Sequence, residues 1–143
     1  MKRAGFTMIE LIFVIVILGI LSAVALPKFI GVSEQAEAGK CKAFVGTLNR
    51  TVFPALWSDM ALNDLNATVA FTAAKINNQI EVPVECRKTN VASTATQATM
   101  LADYATAANA GTSFTVTVGG VAYEVNATAA TASVSPILEW KKP

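Results

Sequence analysis

The apolar positions of this chain fall into three patterns. From Phe6 to Leu26, 21 residues run with only Glu10 charged, and fourteen are Leu, Ile, Val or Phe. At 1.5 Å per residue such a helix is about 31 Å long, close to the thickness of a bilayer hydrocarbon core. Fourteen strongly apolar residues favour insertion by about 4 to 8 kcal/mol, whereas one carboxylate costs at most about 3 kcal/mol even at the helix centre. The run is therefore expected to span a membrane.

After Pro27 the pattern changes. Phe29, Val32, Ala36, Cys41, Phe44, Leu48, Val52 and Ala55 recur in helical steps, with Lys28, Glu34, Glu37, Lys40, Lys42 and Arg50 between them. Steps of three and four make one stripe, so this half reads as an amphipathic helix supporting a small head. Pro27 removes a backbone donor and is expected to kink or loosen the helix. Pro54 and Asp59 place its end between 53 and 60. A weaker helical pattern follows through Leu62, Leu65, Val69, Ala73, Ile76 and Ile80 to Pro83, with 82–86 extended or looped. Gln97 to Asn109 predicts a short helix stopped by Gly111.

The third pattern is alternation. Phe114, Val116 and Val118, then Gly119-Gly120, then Val121, Tyr123 and Val125 predict a hairpin pairing 118 with 121, 116 with 123 and 114 with 125. Every pair is apolar, so one face is core, and Thr115 and Thr117 oppose Glu124 and Ala122 on the wet face. Thr131 to Trp140 supplies a third strand that Pro136 confines to an edge or splits. A hairpin alone is marginal, so it should pack on the long helix. The fold class expected is α+β, a long helix carrying a head with an antiparallel sheet.

Composition narrows the chemistry. With 143 residues the chain holds at most one domain plus a tail, and a formal charge of +1 gives no basic face for nucleic acid. It contains no His, which removes imidazole bases, His-assisted nucleophiles and His-ligated metals. Two Cys cannot form a zinc knuckle. No enzyme activity, cofactor or metal is expected. Met1-Lys2-Arg3 before the apolar run resembles a secretory n-region, but the run is long and its helical pattern resumes after Pro27, so the anchor is expected to be kept. The leading positive charges hold the N-terminus in the cytoplasm and place the remainder outside.

Lys2-Arg3-Ala4-Gly5, then Phe6, Glu10, Gly19 and Pro27 in an apolar run, resembles the prepilin signal of type IV pilins and pseudopilins. The resemblance covers residues 1 to about 30. It implies that a prepilin peptidase cuts between Gly5 and Phe6 and methylates the new Phe6 amine, taking the formal charge from +1 to −1 as Lys2 and Arg3 leave. It also implies that Glu10 pairs with the N-terminal amine of a neighbouring subunit. An ionised group in a dry bundle needs such a partner. The plainer reading is an acid favouring the first helical turn. The implied organisation is a leader at 1–5, a transmembrane and polymerisation helix at 6–27, the amphipathic half of the same helix at 28–58 and an α+β head at 59–143.

The function expected is that of a pilus-like filament subunit. Its partners are further copies of itself, the prepilin peptidase and methylase, the assembly machinery and, before assembly, the inner membrane; no specific nucleic acid is expected. Its final location would be an extracellular pilus with adhesive or motile roles, or a periplasmic pseudopilus. The alternatives are a pseudopilin of a type II secretion system, a minor or DNA-uptake pilin, and a simple anchored domain. If the head lies outside the cytoplasm, Cys41 and Cys86 are expected to form a disulfide, the alternative being two buried thiols. Asp64-Leu65-Asn66-Ala67-Thr68 and Glu124-Val125-Asn126-Ala127-Thr128 fit an acid-x-Asn-x-Ser/Thr sequon, making Asn66 and Asn126 candidate glycan acceptors. Asn49-Arg50-Thr51 fits only the shorter form. The bland alternative is an Asn serving a turn.

Overall fold

A computed structural model describes residues 5–87 and 96–142, and for Ile30 the backbone alone. Leader residues 1–4 and part of the Ala/Thr-rich stretch therefore lie outside the described residues. The chain divides into two compact units, Met1–Gln35 and Ala36–Pro143. The elements run α1 (Met8–Thr47), a π-helical turn (Leu48–Val52), α2 (Phe53–Leu62), α3 (Ala67–Ala70), α4 (Ala73–Asn77), a 3₁₀ turn (Val84–Cys86), α5 (Gln97–Ala110), β1 (Phe114–Val118), β2 (Val121–Thr128) and β3 (Ile137–Lys141).

The first unit is helix with its apolar side chains bare: Phe6 through Phe29 are exposed. In the second unit Cys41, Phe44, Val45 and Leu48 point into the core, followed by Val52, Phe53, Leu56 and Met60. The helical run does not end between 53 and 60. Phe53 N–H bonds the Leu48 carbonyl, an i→i−5 step that inserts one extra residue into the turn. Pro54, which has no N–H, then falls in the first turn of α2, where a missing donor costs little. The π turn thus absorbs the proline, and the helix continues to Leu62. It stops where Asp64 adopts φ +51 and Leu65 N–H reaches back 3.0 Å to the Met60 carbonyl, a Schellman closure with Asp in place of Gly.

The helical pattern of 62–80 is also corrected: it is two short helices, α3 and α4. Asn66 and Thr72 hold extended backbones at their N-termini, and the Thr72 hydroxyl accepts from Lys75 N–H at 3.3 Å. α5 spans Gln97–Ala110. Thr96 caps its start, and Gly111 at φ +67 ends it with an N–H to the Ala107 carbonyl.

The hairpin pairs Phe114 with Val125, Val116 with Tyr123 and Val118 with Val121, and sets Thr115 and Thr117 against Glu124 and Ala122. Gly119 and Gly120 both have positive φ, as a two-residue hairpin turn matching strand twist requires. The sheet order is β1-β2-β3, all antiparallel. β3 is shorter than the 131–140 expected, because Thr131 folds its own turn: its hydroxyl accepts from Ser133 and Val134 N–H, and its carbonyl takes Trp57 Nε1–H at 3.0 Å.

Tyr104 on α5 centres the core, edge-on to Phe44 (5.2 Å) and Phe114 (4.8 Å), with its hydroxyl donating to the Cys86 carbonyl. Burial pushes its phenol far above the ordinary value, with Asp103 adding to the effect. Three carboxamides tie segments distant in sequence. Asn49 brackets Leu138, with Nδ2 donating to its carbonyl at 2.6 Å and Oδ1 accepting its N–H at 2.9 Å. Gln97 does the same for Val82, and Asn109 donates to the Phe71 carbonyl. The architecture is α+β.

Candidate assembly and processing site

Gly5, Phe6 and Thr7 precede α1 in irregular backbone. Phe6 is 88% exposed, and nothing lies within 4 Å of where a Gly5 side chain would begin. The Gly5–Phe6 bond is accordingly accessible in the unit that carries it. Thr7, Met8, Ile9 and Glu10 then form a reciprocal cap. Thr7 N–H and hydroxyl both donate to Glu10 Oε2, at 2.9 and 2.8 Å, and Glu10 N–H returns a 3.3 Å bond to the Thr7 hydroxyl. Thr at the N-cap with Glu three residues on satisfies two helix-end donors that lack partners within the helix.

The sequence reading named Glu10 but missed Thr7. The signal was legible as Thr-x-x-Glu before an apolar run. Glu10 is thus positioned by its own helix at the boundary between irregular chain and apolar stretch.

Gly19 and Pro27 lie farther along α1, with open space around Gly19. The helix continues on both sides of Pro27, whose ring leaves the Ala23 carbonyl without its usual i+4 donor. Ser22 donates its hydroxyl to the Leu18 carbonyl at 2.7 Å, so a polar side chain within the apolar run is satisfied internally. Among the described residues one helix is long and apolar enough to cross a membrane, and its apolar stretch is wholly exposed.

The other singled-out residues lie in the second unit. Cys41 and Cys86 are joined in a disulfide with Cα atoms 5.2 Å apart. Beside it Lys40 Nζ meets Glu85 Oε1 at 3.4 Å. The Glu85 carboxyl is held below the usual carboxylate range chiefly by its own backbone N–H, with Lys40 assisting against partial burial. Asn66 is exposed at the start of α3, and Asn126 is half-buried within β2. Among the described residues no three Cys, Asp or Glu side chains group to hold a metal.

Residues 1–26 match the family model of the prokaryotic N-terminal methylation motif. The match takes in the N-terminal segment alone, the part of the chain that resembles the prepilin signal of type IV pilins. It is similar to the type IV narrow pilus major component PilA5 of Thermus thermophilus, 49% identical over 43 residues; that stretch covers 30% of this chain and 37% of the relative. No solved structure matches the chain. The likeness to a pilin therefore rests on less than two-fifths of the relative's length.

Proposed function

We propose that this chain is the structural subunit of a type IV pilus-like filament. It enters the inner membrane as a prepilin, is cut after Gly5, is methylated at Phe6 and polymerises through residues 6–27. The observation that carries the reading is the bare apolar run of α1 with its one charge, Glu10, fixed at the run's entrance by Thr7. Lipid covers that surface in the precursor; neighbouring helices cover it in the filament. Lipid is as apolar as Leu, so close packing and a polar contact at Glu10 must supply the preference for assembly.

Cleavage creates a cation on Phe6, close in sequence to the Glu10 carboxylate, and a neighbour's amine is the complement such a charge needs in a dry bundle. Lys2 and Arg3 leave with the leader, so the leading positive charges act on the precursor alone.

Surface shearing, electron microscopy and N-terminal mass spectrometry test this. Filaments whose subunit begins at methylated Phe6 are expected; a subunit still starting at Met1 refutes the reading. Glu10→Ala removes both charge and cap, whereas Glu10→Gln keeps an acceptor for Thr7 and removes only the charge. Both variants should be cleaved and neither should form filaments. Normal filaments from Glu10→Gln would show that the cap, not the charge pair, is what assembly uses.

A further inference from the structure

Three Asn-x-Thr triplets occur in this chain, and their settings differ. Asn49 is not available: both ends of its amide bracket the Leu138 backbone. Asn126 lies in the middle strand of the sheet, half-buried and paired with Glu139 of β3. Its neighbour Glu124 is paired with β1 on one side and β3 on the other. Presenting that segment to an enzyme would mean stripping strands from the sheet.

Asn66 is different in each respect. It sits in the connection between α2 and α3 with φ −75 and ψ 152, and its side chain makes no capping bond. Along 64–68 the exposure alternates: Asp64, Asn66 and Thr68 are exposed, while Leu65 and Ala67 are half-buried against the core. The acid, the acceptor amide and the hydroxyl two residues on are therefore all reachable, and two apolar anchors hold the segment from beneath. Asp64 is in the left-handed region, where the helix has already ended. Thr68 lies on α3, only one turn long and cheap to open. An open groove of about 340 Å³, lined by Met60, Asp64, Ala130 and Thr131 among others, borders the Asn.

We propose that Asn66, and neither Asn49 nor Asn126, is a site of N-linked glycosylation. The co-substrate is a polyprenyl-diphosphate-linked sugar. The Asn66 amide nitrogen bonds to the sugar's anomeric carbon, the bond from that carbon to the diphosphate oxygen breaks, the amide loses one proton and the lipid diphosphate leaves. The inference rests on the reading that places the second unit outside the cytoplasm, where a lipid-linked donor would meet it.

The test is to co-express the full chain with a prepilin peptidase, a bacterial oligosaccharyltransferase of acid-x-Asn-x-Ser/Thr specificity and its lipid-linked glycan. Peptide mass spectrometry follows. Arg50 and Lys75 let trypsin place the three triplets on separate peptides. A glycan increment is expected on the 51–75 peptide alone. Asn66→Gln should abolish it and Asp64→Asn should lower its occupancy at least tenfold, the latter keeping a residue that tolerates left-handed backbone. The Cys41–Cys86 disulfide reports export independently. Disulfide-bonded chains without sugar on Asn66, or with sugar on Asn126 instead, overturn the proposal and leave the export reading standing. Chains found reduced and unglycosylated overturn both.

Discussion

Asn49→Ala tests whether one side chain closes the open edge of the sheet. β3 pairs with β2 on one side, and the outward N–H and carbonyl of Leu138 are met by the Asn49 amide at 2.9 and 2.6 Å. An unpaired edge strand is a template for association, so such a clamp also protects against it. Two hydrogen bonds in a partly buried setting are worth about 2 kcal/mol together. Ala is favoured over Asn in a helix by about 0.5 kcal/mol, leaving a net loss of about 1.5 kcal/mol. For a folded unit of about 100 residues that lowers the melting midpoint by about 6 to 12 °C. Urea unfolding of the full chain in detergent, followed by fluorescence of Trp57 and Trp140, measures the loss. Hydrogen exchange locates it: the Leu138 amide should exchange about tenfold faster, with the β1–β2 amides little changed. Asn49→Asp should do no better than Ala, because its second oxygen would face the Leu138 carbonyl. A loss below about 0.5 kcal/mol with Leu138 exchange unaltered would refute the reasoning.

Reducing Cys41–Cys86 opens a loop with a sequence separation of 45, which chain entropy values at about 4 kcal/mol; calorimetry with and without a phosphine reductant should show the largest single destabilisation in the molecule. Tyr104→Phe keeps both edge-on ring contacts but leaves the buried Cys86 carbonyl without its donor, so a loss of about 1 to 2 kcal/mol in the same unfolding assay is expected. Glu85 has a folded pKa below its ordinary 4.5, so its stabilisation is present above that value and lost as pH falls through the lowered one. Being largely solvent-screened, the Lys40 pair should contribute under about 1 kcal/mol, and Lys40→Met should flatten the stability profile below pH 4.5 only slightly.

What could be read in the sequence is what depends on near neighbours. The Gly-Gly turn dictates the register of 114–125, because a two-residue loop with two positive φ values leaves one way to pair apolar with apolar. Gln97–Ala110 follows from Thr96 and Gly111 at its two ends. The N-terminal methylation motif is more local still: charge, glycine, apolar length and Glu10 are all contiguous. The failures share the opposite property. Pro54 looked like a stop because a proline ends an α pattern, but tertiary packing of Leu48, Val52 and Phe53 holds a π turn that accommodates it. The 62–80 pattern looked like one helix because its apolar steps persist through Asn66 and Thr72, where extended backbone breaks it. The amide clamps at Asn49, Gln97 and Asn109 were invisible, since each joins a side chain to backbone far along the chain and leaves no periodic trace.

That division bears on function. The short-range part specifies the apolar segment that matches the methylation motif, and the long-range part builds the surface of the second unit. Asn66 falls between the two: its triplet is local, but that it is exposed on a short connection while Asn126 is half-buried in a paired strand depends on which strand ended up in the middle of the sheet.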